Sequence, residues 1–481
     1  MKYIVILGDG MSDYPVDELN SRTPLQVAKK PNMDFIAKKG VSGMLKTIQD
    51  GFEPGSDVAN LSVLGYDVRK CHTGRAPIEA ANMGINLSND EVAFRCNFFT
   101  EECGILKDYC AGHITSGEGK ILIDLLNKKF SDELKAINGK FYAGVSYRNI
   151  FVCKVKDAKS KNFVCQPPHN IVGAEIEKNL ITVKNDNKDN KDNKSNKDNK
   201  SNKDNKDNKS NKSNKDNKSN KDNKDNKSNK SNKDNKSNKD NKDKEINLNS
   251  HPSDISNAGI EIAKNLNHLM LKSWEILEKS EINRKREREG KNKANMIWFW
   301  GQGKKPKMEE FKAKYNLKGA IISAVDLIKG IGKLAGMDVI EVKGATGLWD
   351  TNYDGKAMAC IKALDDHDFV YVHVEATDEA GHLGDINLKI LSIENLDKMA
   401  GKILQEIKNK GIEAKIAILP DHATPIKVKT HTTDLVPFAI YSTKSKDEKD
   451  KDEVEKFDEF ACRNGRYGKG VENFMEILLE D

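Results

Sequence analysis

Three stretches of the chain are apolar at nearly every position and then stop at acidic or histidine residues. Tyr3-Ile-Val-Ile-Leu7 runs into Gly8-Asp9-Gly10, Phe369-Val-Tyr-Val-His-Val374 into Glu375-Ala-Thr-Asp-Glu-Ala-Gly-His382, and Ala414-Lys-Ile-Ala-Ile-Leu419 into Pro420-Asp421-His422. Continuous β-branched residues suit strands covered on both faces, as in a parallel sheet. Between two of these strands, Ile386 to Ile407 repeats its apolar positions at helical spacing. The alternation predicts a doubly wound, mainly parallel α/β sheet, and such sheets place their sites at the carboxyl ends of the strands.

The first and last parts of the chain both supply this sheet, so the middle is expected to be an insertion. The segments are residues 1–80, the first part of the core; 81–290, an inserted α+β cap; and 291–481, the second part of the core. Inside the cap, Asn185 to Lys244 is a low-complexity tract of Asn-Lys-Asp and Asn-Lys-Ser triplets with no apolar residue. It cannot bury enough surface to offset chain entropy, so a disordered loop is expected there. Loop closure costs little more as a loop lengthens, which lets a fold carry such a repeat expansion at its surface.

The formal charge of +6 invites a nucleic-acid reading, but the tract alone holds 20 Lys against 12 Asp, and the remainder carries −2. The body therefore has no basic footprint of the kind nucleic-acid binders show. Eight cysteines include no C-x-x-C pair, so free thiols in a reducing compartment are expected rather than a zinc site or a disulfide framework. The apolar run at the N-terminus is too short for a signal peptide, and no stretch approaches the roughly 20 apolar residues of a membrane span. A soluble, cytoplasmic protein with no membrane partner is the expectation.

Asp9, Asp378, His382, Asp421, His422 and His431 all stand at or shortly after the ends of the inferred strands. Any one of them could be a turn or capping residue. Together they form a carboxylate and imidazole set suited to Mn²⁺, Zn²⁺ or Mg²⁺. Glu53-Pro-Gly-Ser-Asp-Val-Ala-Asn60 adds Ser56 at a glycine turn where a helix would begin. A serine there can cap the helix, and the helix dipole beside it would also favour an alkoxide or a phosphoserine.

The motifs Ile6-Leu-Gly-Asp-Gly-Met-Ser12, Pro54-Gly-Ser-Asp-Val-Ala-Asn60, Thr73-Gly-Arg-Ala-Pro-Ile-Glu-Ala80, Val92-Ala-Phe-Arg-Cys-Asn97, Trp300-Gly-Gln-Gly303, His373 to His382 and Leu419-Pro-Asp-His-Ala-Thr-Pro425 resemble the archaeal-type 2,3-bisphosphoglycerate-independent phosphoglycerate mutases, of the alkaline phosphatase superfamily. The resemblance spans both ends of the chain and much of the cap. It implies an alkaline-phosphatase-like core, phosphoglycerate as a small-molecule substrate, and interconversion of its 2- and 3-phospho forms without 2,3-bisphosphoglycerate. Two divalent ions are implied, Mn²⁺ foremost with Mg²⁺, Co²⁺ or Zn²⁺ as alternatives. Asp378, His382 and His431 would hold one ion. Asp9, Asp421, His422 and the nucleophile Ser56 would hold the other. His113, Arg148 and Arg286 in the cap and Lys329 in the core would grip the substrate. The competing readings are a phosphomonoesterase or other phosphotransferase of the same superfamily, and a non-catalytic anion-binding protein.

Overall fold

The computed structural model describes residues 1–155, 162–184, 257–444 and 451–480. The tract from Asn185 to Lys244, expected as a disordered loop, lies outside the described residues. The described strands begin with β1 (Lys2–Gly8), β2 (Val41–Leu45), β3 (Glu91–Glu102), β4 (Ile105–Asp108), β5 (Lys140–Val145), β6 (Arg148–Lys154), β7 (Phe163–Val164) and β8 (Thr182–Val183). They continue with β9 (Met296–Lys304), β10 (Gly319–Ile322), β11 (Asp338–Val339), β12 (Phe369–Val374), β13 (Ala414–Leu419), β14 (Val436–Ser442) and β15 (Tyr467–Val471).

Eight strands form the large sheet, in the order β11-β10-β12-β1-β13-β14-β2-β15. Only β14 runs against its neighbours; the other pairings in this sheet are parallel. This is the doubly wound, mainly parallel core that the apolar runs predict. Alternate side chains of each central strand enter opposite layers, because successive side chains of a strand point to opposite faces. Ile4, Ile6, Val370, Val372, Ile416 and Ile418 pack with the long helix Ile386–Lys410. Val5, Leu7, Tyr371, Ala417 and Leu419 pack with the helices Ser56–Val63 and Asp326–Leu334. Both layers are fully desolvated along these strands, which is why their sequences read as unbroken apolar runs.

The register aligns the strand ends. Leu7 of β1 lies beside His373 of β12 on one side and Leu419 of β13 on the other. Two residues further on, Asp9, Glu375 and Asp421 therefore leave the sheet at one level.

A smaller antiparallel sheet has β3 at its centre, paired with β6, β9 and, at its far end, β4, while β5 lies beyond β6. Phe94, Phe141, Phe151, Trp298 and Phe299 fill its core. The strand β9, which the sequence reading assigned to the second core segment, completes this sheet. Both sheets belong to one compact unit, Met1–Val183 with Ala258–Asp481. All eight cysteines are unpaired, and among the described residues no helix is long and apolar enough to cross a membrane.

A buried ionic knot fixes the loops above the large sheet. Lys389 of the long helix donates to Asp13 Oδ2 (2.7 Å) and to the carbonyls of Ser12 (3.2 Å) and Thr424 (2.8 Å). Glu459 accepts from the Asp13 amide (3.0 Å) and the Thr23 hydroxyl (2.8 Å). Burial pushes the Glu459 carboxyl up from its ordinary 4.5 to about 7. Because the folded value is the higher one, the unfolded chain releases this proton first, and stability from the group is lost as pH rises from about 4.5 to 7. Glu459→Gln keeps the shape without the charge. Its stability relative to wild type, measured by denaturant unfolding, should improve by about 2 kcal/mol between pH 5 and pH 8.

Candidate metal and phosphoryl-transfer site

The strand ends bring the expected acids and imidazoles together. Asp378 Oδ2 lies 3.1 Å from His382 Nε2, and its Oδ1 lies 3.5 Å from His431 Nε2. The two imidazoles meet at 3.1 Å between their Nε2 atoms. On the other side, His422 Nε2 lies 3.4 Å from Asp9 Oδ1, 3.5 Å from Asp421 Oδ2 and 3.2 Å from Ser56 Oγ. The His422 and His431 rings are 4.1 Å apart, so the two groups form one continuous cluster.

Each imidazole is aimed by its other nitrogen. His382 Nδ1 donates to the Lys429 carbonyl at 3.0 Å, and His431 Nδ1 faces the Pro54 carbonyl at 3.4 Å. His422 Nδ1 faces Thr424 Oγ1 at 3.3 Å, while the Thr424 hydroxyl donates to Asp378 Oδ1. A carbonyl can only accept, so Nδ1 of His382 and of His431 carries a proton, and the Nε2 atoms of both rings are turned toward the cluster.

His373 differs, although its Nε2 is as close to the acids as any ligand. This nitrogen sits 2.9 Å from Asp9 Oδ2, and Nδ1 sits 3.2 Å from Ser323 Oγ. With a carboxylate on one nitrogen and a hydroxyl on the other, Nε2–H donates to Asp9. His373 therefore orients Asp9 from behind, as carboxylate ligands are commonly held.

Gly10, with φ +59°, lets the backbone pass beside Asp378: a β-carbon there would stand 2.5 Å from Asp378 Oδ1. Its amide donates to Asp421 Oδ1 at 3.1 Å. Asn60 binds three elements together, donating to Asp421 Oδ2 (2.8 Å) and to the Ser56 carbonyl (2.9 Å) and accepting from the buried Tyr371 hydroxyl (2.6 Å). Ser56 opens the helix Ser56–Val63 after Gly55, and no side chain caps that end.

The electrostatics call for a cation. Burial, then Asp421, Glu375 and Asp378, push the Asp9 carboxyl well above its ordinary range. Burial and Asp378 push Glu375 up as well. Burial would raise Asp378 too, but hydrogen bonds from His382 and His431 hold it well below its usual range. The bond to Asp378 in turn lifts His382 to about 9. Asp9 Oδ1 is fully buried and has no hydrogen-bond partner, an uncommon and costly state that a bound divalent ion would relieve. Donor atoms of Asp378, His422 and His431, and of Asp9, His373 and Asp421, lie within 4.8 Å of one another in each group, and such carboxylate and imidazole sets are ones that divalent ions accept.

The residues expected to grip the substrate divide. Arg148 opens β6 with its guanidinium 5.1 Å from the Tyr147 ring, and its charge is felt at Glu379, next to Asp378. His113 is exposed on a turn at φ +51°, with its ring 6.3 Å from Tyr147. Arg286 is 2% exposed and fully engaged. It donates to the carbonyls of Asn292 (2.8 Å), Ala111 (2.7 Å) and Gly112 (3.3 Å) and to Glu118 Oε2 (3.0 Å). Arg286 thereby braces the turn that carries His113. Lys329 is held by Asp326 (3.1 Å) and Glu341 (3.2 Å), and among the described residues it makes no contact with Ser56 or the acids. Reading the sequence also missed His373, Asn60, Thr424 and Glu375 as site residues. Only His373 carries a signal of its own, as the single ionisable residue inside an apolar strand.

The sequence profile of the metalloenzyme superfamily matches residues 1–470. A curated 2,3-bisphosphoglycerate-independent phosphoglycerate mutase of Methanosarcina mazei is 43% identical over 469 residues, covering 97% of this chain and 96% of that protein. One from Methanothermobacter thermautotrophicus is 41% identical over 482 residues, covering 100% and 98%. A solved protein of Pyrococcus horikoshii aligns with a TM-score of 0.70 at 27% identity, covering 100% of this chain and 96% of its own. The structure of a cofactor-independent phosphoglycerate mutase from Thermoplasma acidophilum shares the fold at a TM-score of 0.57 and 24% identity. With the acid and imidazole cluster in place and the similarity running the length of the chain, this protein belongs to the metalloenzyme superfamily and, within it, to the 2,3-bisphosphoglycerate-independent phosphoglycerate mutases.

Proposed function

We propose that the chain interconverts 2- and 3-phosphoglycerate through a phosphoserine at Ser56, using two divalent cations, with Mn²⁺ the best fit. The observation that carries this reading is the hydroxyl of Ser56, 3.2 Å from His422 Nε2 at an uncapped helix start, inside a cluster of buried carboxylates. Asp378, His382 and His431 would hold one ion, and Asp9, Asp421 and His422 with Ser56 the other. Bound there, the ions lower the pKa of a hydroxyl and neutralise phosphoryl oxygens.

The chain's own groups do the rest. Asn60 fixes the Ser56 carbonyl and Asp421 in one orientation, so the nucleophile and a ligand move as a unit. When Ser56 Oγ bonds to phosphorus, the ester bond to the glycerate oxygen breaks. The proton lost by the serine hydroxyl is matched by the one that oxygen takes up. Arg148 and His113 would hold glycerate by its carboxylate and hydroxyls while it turns and presents its other oxygen. Holding the glycerate and excluding water separate a mutase from a phosphatase.

Incubation with 3-phosphoglycerate and Mn²⁺ should yield 2-phosphoglycerate with little free phosphate, and Ser56→Ala should cut the rate by at least about 10³-fold. Steady phosphate release with no 2-phosphoglycerate would instead identify a phosphomonoesterase. In thermal unfolding, chelation should lower the midpoint and Mn²⁺ at about 100 times its Kd should return about 2.7 kcal/mol. Asp9→Asn should stabilise the chelated protein by about 1 kcal/mol, by removing one repelling charge, and shrink the Mn²⁺-dependent gain.

A further inference from the structure

Arg75 lies beside the serine loop with part of its guanidinium unused. Arg95, by contrast, pairs with Glu79 and lies 4.3 Å from the Trp300 ring, and Arg286 is fully engaged with Asn292, Ala111, Gly112 and Glu118. Arg75 Nε donates to Asp57 Oδ2 at 3.3 Å. Among the described residues, its two terminal nitrogens have no acceptor. The side chain is 34% exposed.

The location matters more than the exposure. Asp57 follows the nucleophile in the sequence. Gly55 precedes it, and a β-carbon on Gly55 would stand 2.7 Å from Arg75 Nη2. The guanidinium therefore touches both neighbours of Ser56. Asp57 is itself held from a second side by His72 Nε2 at 2.7 Å, which fixes the carboxylate that aims the arginine.

The backbone behind Arg75 is equally constrained. Gly74, at φ +144°, has no room for a β-carbon, which would fall 2.1 Å from the Gln302 carbonyl. The Thr73 hydroxyl donates to the Lys304 carbonyl at 2.6 Å. The helix Arg75–Asn82 thus starts pinned to β9, and its first side chain reaches back to the serine loop.

We propose that Arg75 contacts the phosphoryl group on Ser56 and is a further catalytic residue of the reaction. Two coplanar N–H groups match two oxygens of a phosphate monoester. Arg75 keeps its proton throughout and supplies only the charge and geometry that steady those oxygens in both half-reactions. The proposal rests on the phosphoserine reading given above, and the test separates the two.

Full-length, Mn²⁺-replete protein is quenched after exposure to 3-phosphoglycerate, and phosphate on Ser56 is read by peptide mass. Inorganic phosphate binding is measured by calorimetry on wild type, Arg75→Ala and Arg75→Lys. Arg75→Ala should lose about 100-fold in kcat/KM and about 10-fold or more in phosphate affinity, with Mn²⁺ affinity unchanged. Methylguanidinium should restore part of the rate to the alanine variant. If Arg75→Ala fails to fold, Arg75→Lys carries the comparison, with a point charge in place of a fork and an intermediate loss. Phosphate binding as tight as wild type in a folded variant overturns the role of Arg75. A wild-type protein that turns over substrate but never acquires phosphate on Ser56 overturns the phosphoserine reading, and the proposal with it.

Discussion

Four carboxylates share one dry space at the ends of β12, β1 and β13. Asp9 and Asp421 are completely buried, Asp378 nearly so, and Glu375 largely so. Left to themselves, such groups repel and shed charge by taking up protons. Three imidazoles turned inward ease the conflict at Asp378 and leave Asp9 and Glu375 pushed up. They describe a place built for positive charge that the polypeptide does not itself supply. Much of the surrounding architecture serves to keep those acids from moving apart: strand register sets their level, Lys389 and Asp13 fasten the loops, and Thr424 and His373 hold individual carboxylates.

The same constraint explains what the sequence could reveal. Strands buried on both faces must be apolar at every position, so β1, β12 and β13 were legible as runs, and the acids that end them stood out. Ser56 was legible because a Pro-Gly turn before a helix leaves few roles for a serine. The partners of Arg286 were not legible, because most of its acceptors, the carbonyls of residues 111 and 112 and the carboxylate of Glu118, lie far off in the chain and no local pattern encodes them. Of the two partners of Lys329, Asp326 stands one helical turn away and could be read, while Glu341 could not. Asn60 and Thr424 looked like ordinary polar residues, because their significance comes from what stands opposite them in space. The placement of β9 escaped for a related reason. Its apolar pattern suits either sheet, and only pairing with β3 decides between them.

The joint between the two sheets is correspondingly tight. Thr73 and Gly74 lie against the end of β9, so the helix that follows is fixed to one sheet at its start while packing on the helix Asp326–Leu334 of the other. The segment carrying Ser56 and the sheet carrying His113 and Arg148 are therefore tied within a few residues of each other. A shift of one relative to the other has to be absorbed there.

The reversed direction of β14 has a consequence for how the ligands are assembled. After β13 the chain does not cross beneath the sheet to re-enter in parallel; it turns back above the carboxyl ends of the strands and descends. Residues 420–435 are thereby confined to that edge, and a single excursion delivers Asp421, His422, Thr424 and His431 to the same place. A strand of the usual polarity would have drawn the later part of this stretch to the opposite end of the sheet and left the cluster without His431 and its partner contacts. One inverted hairpin thus substitutes for what would otherwise require separate loops from several crossovers.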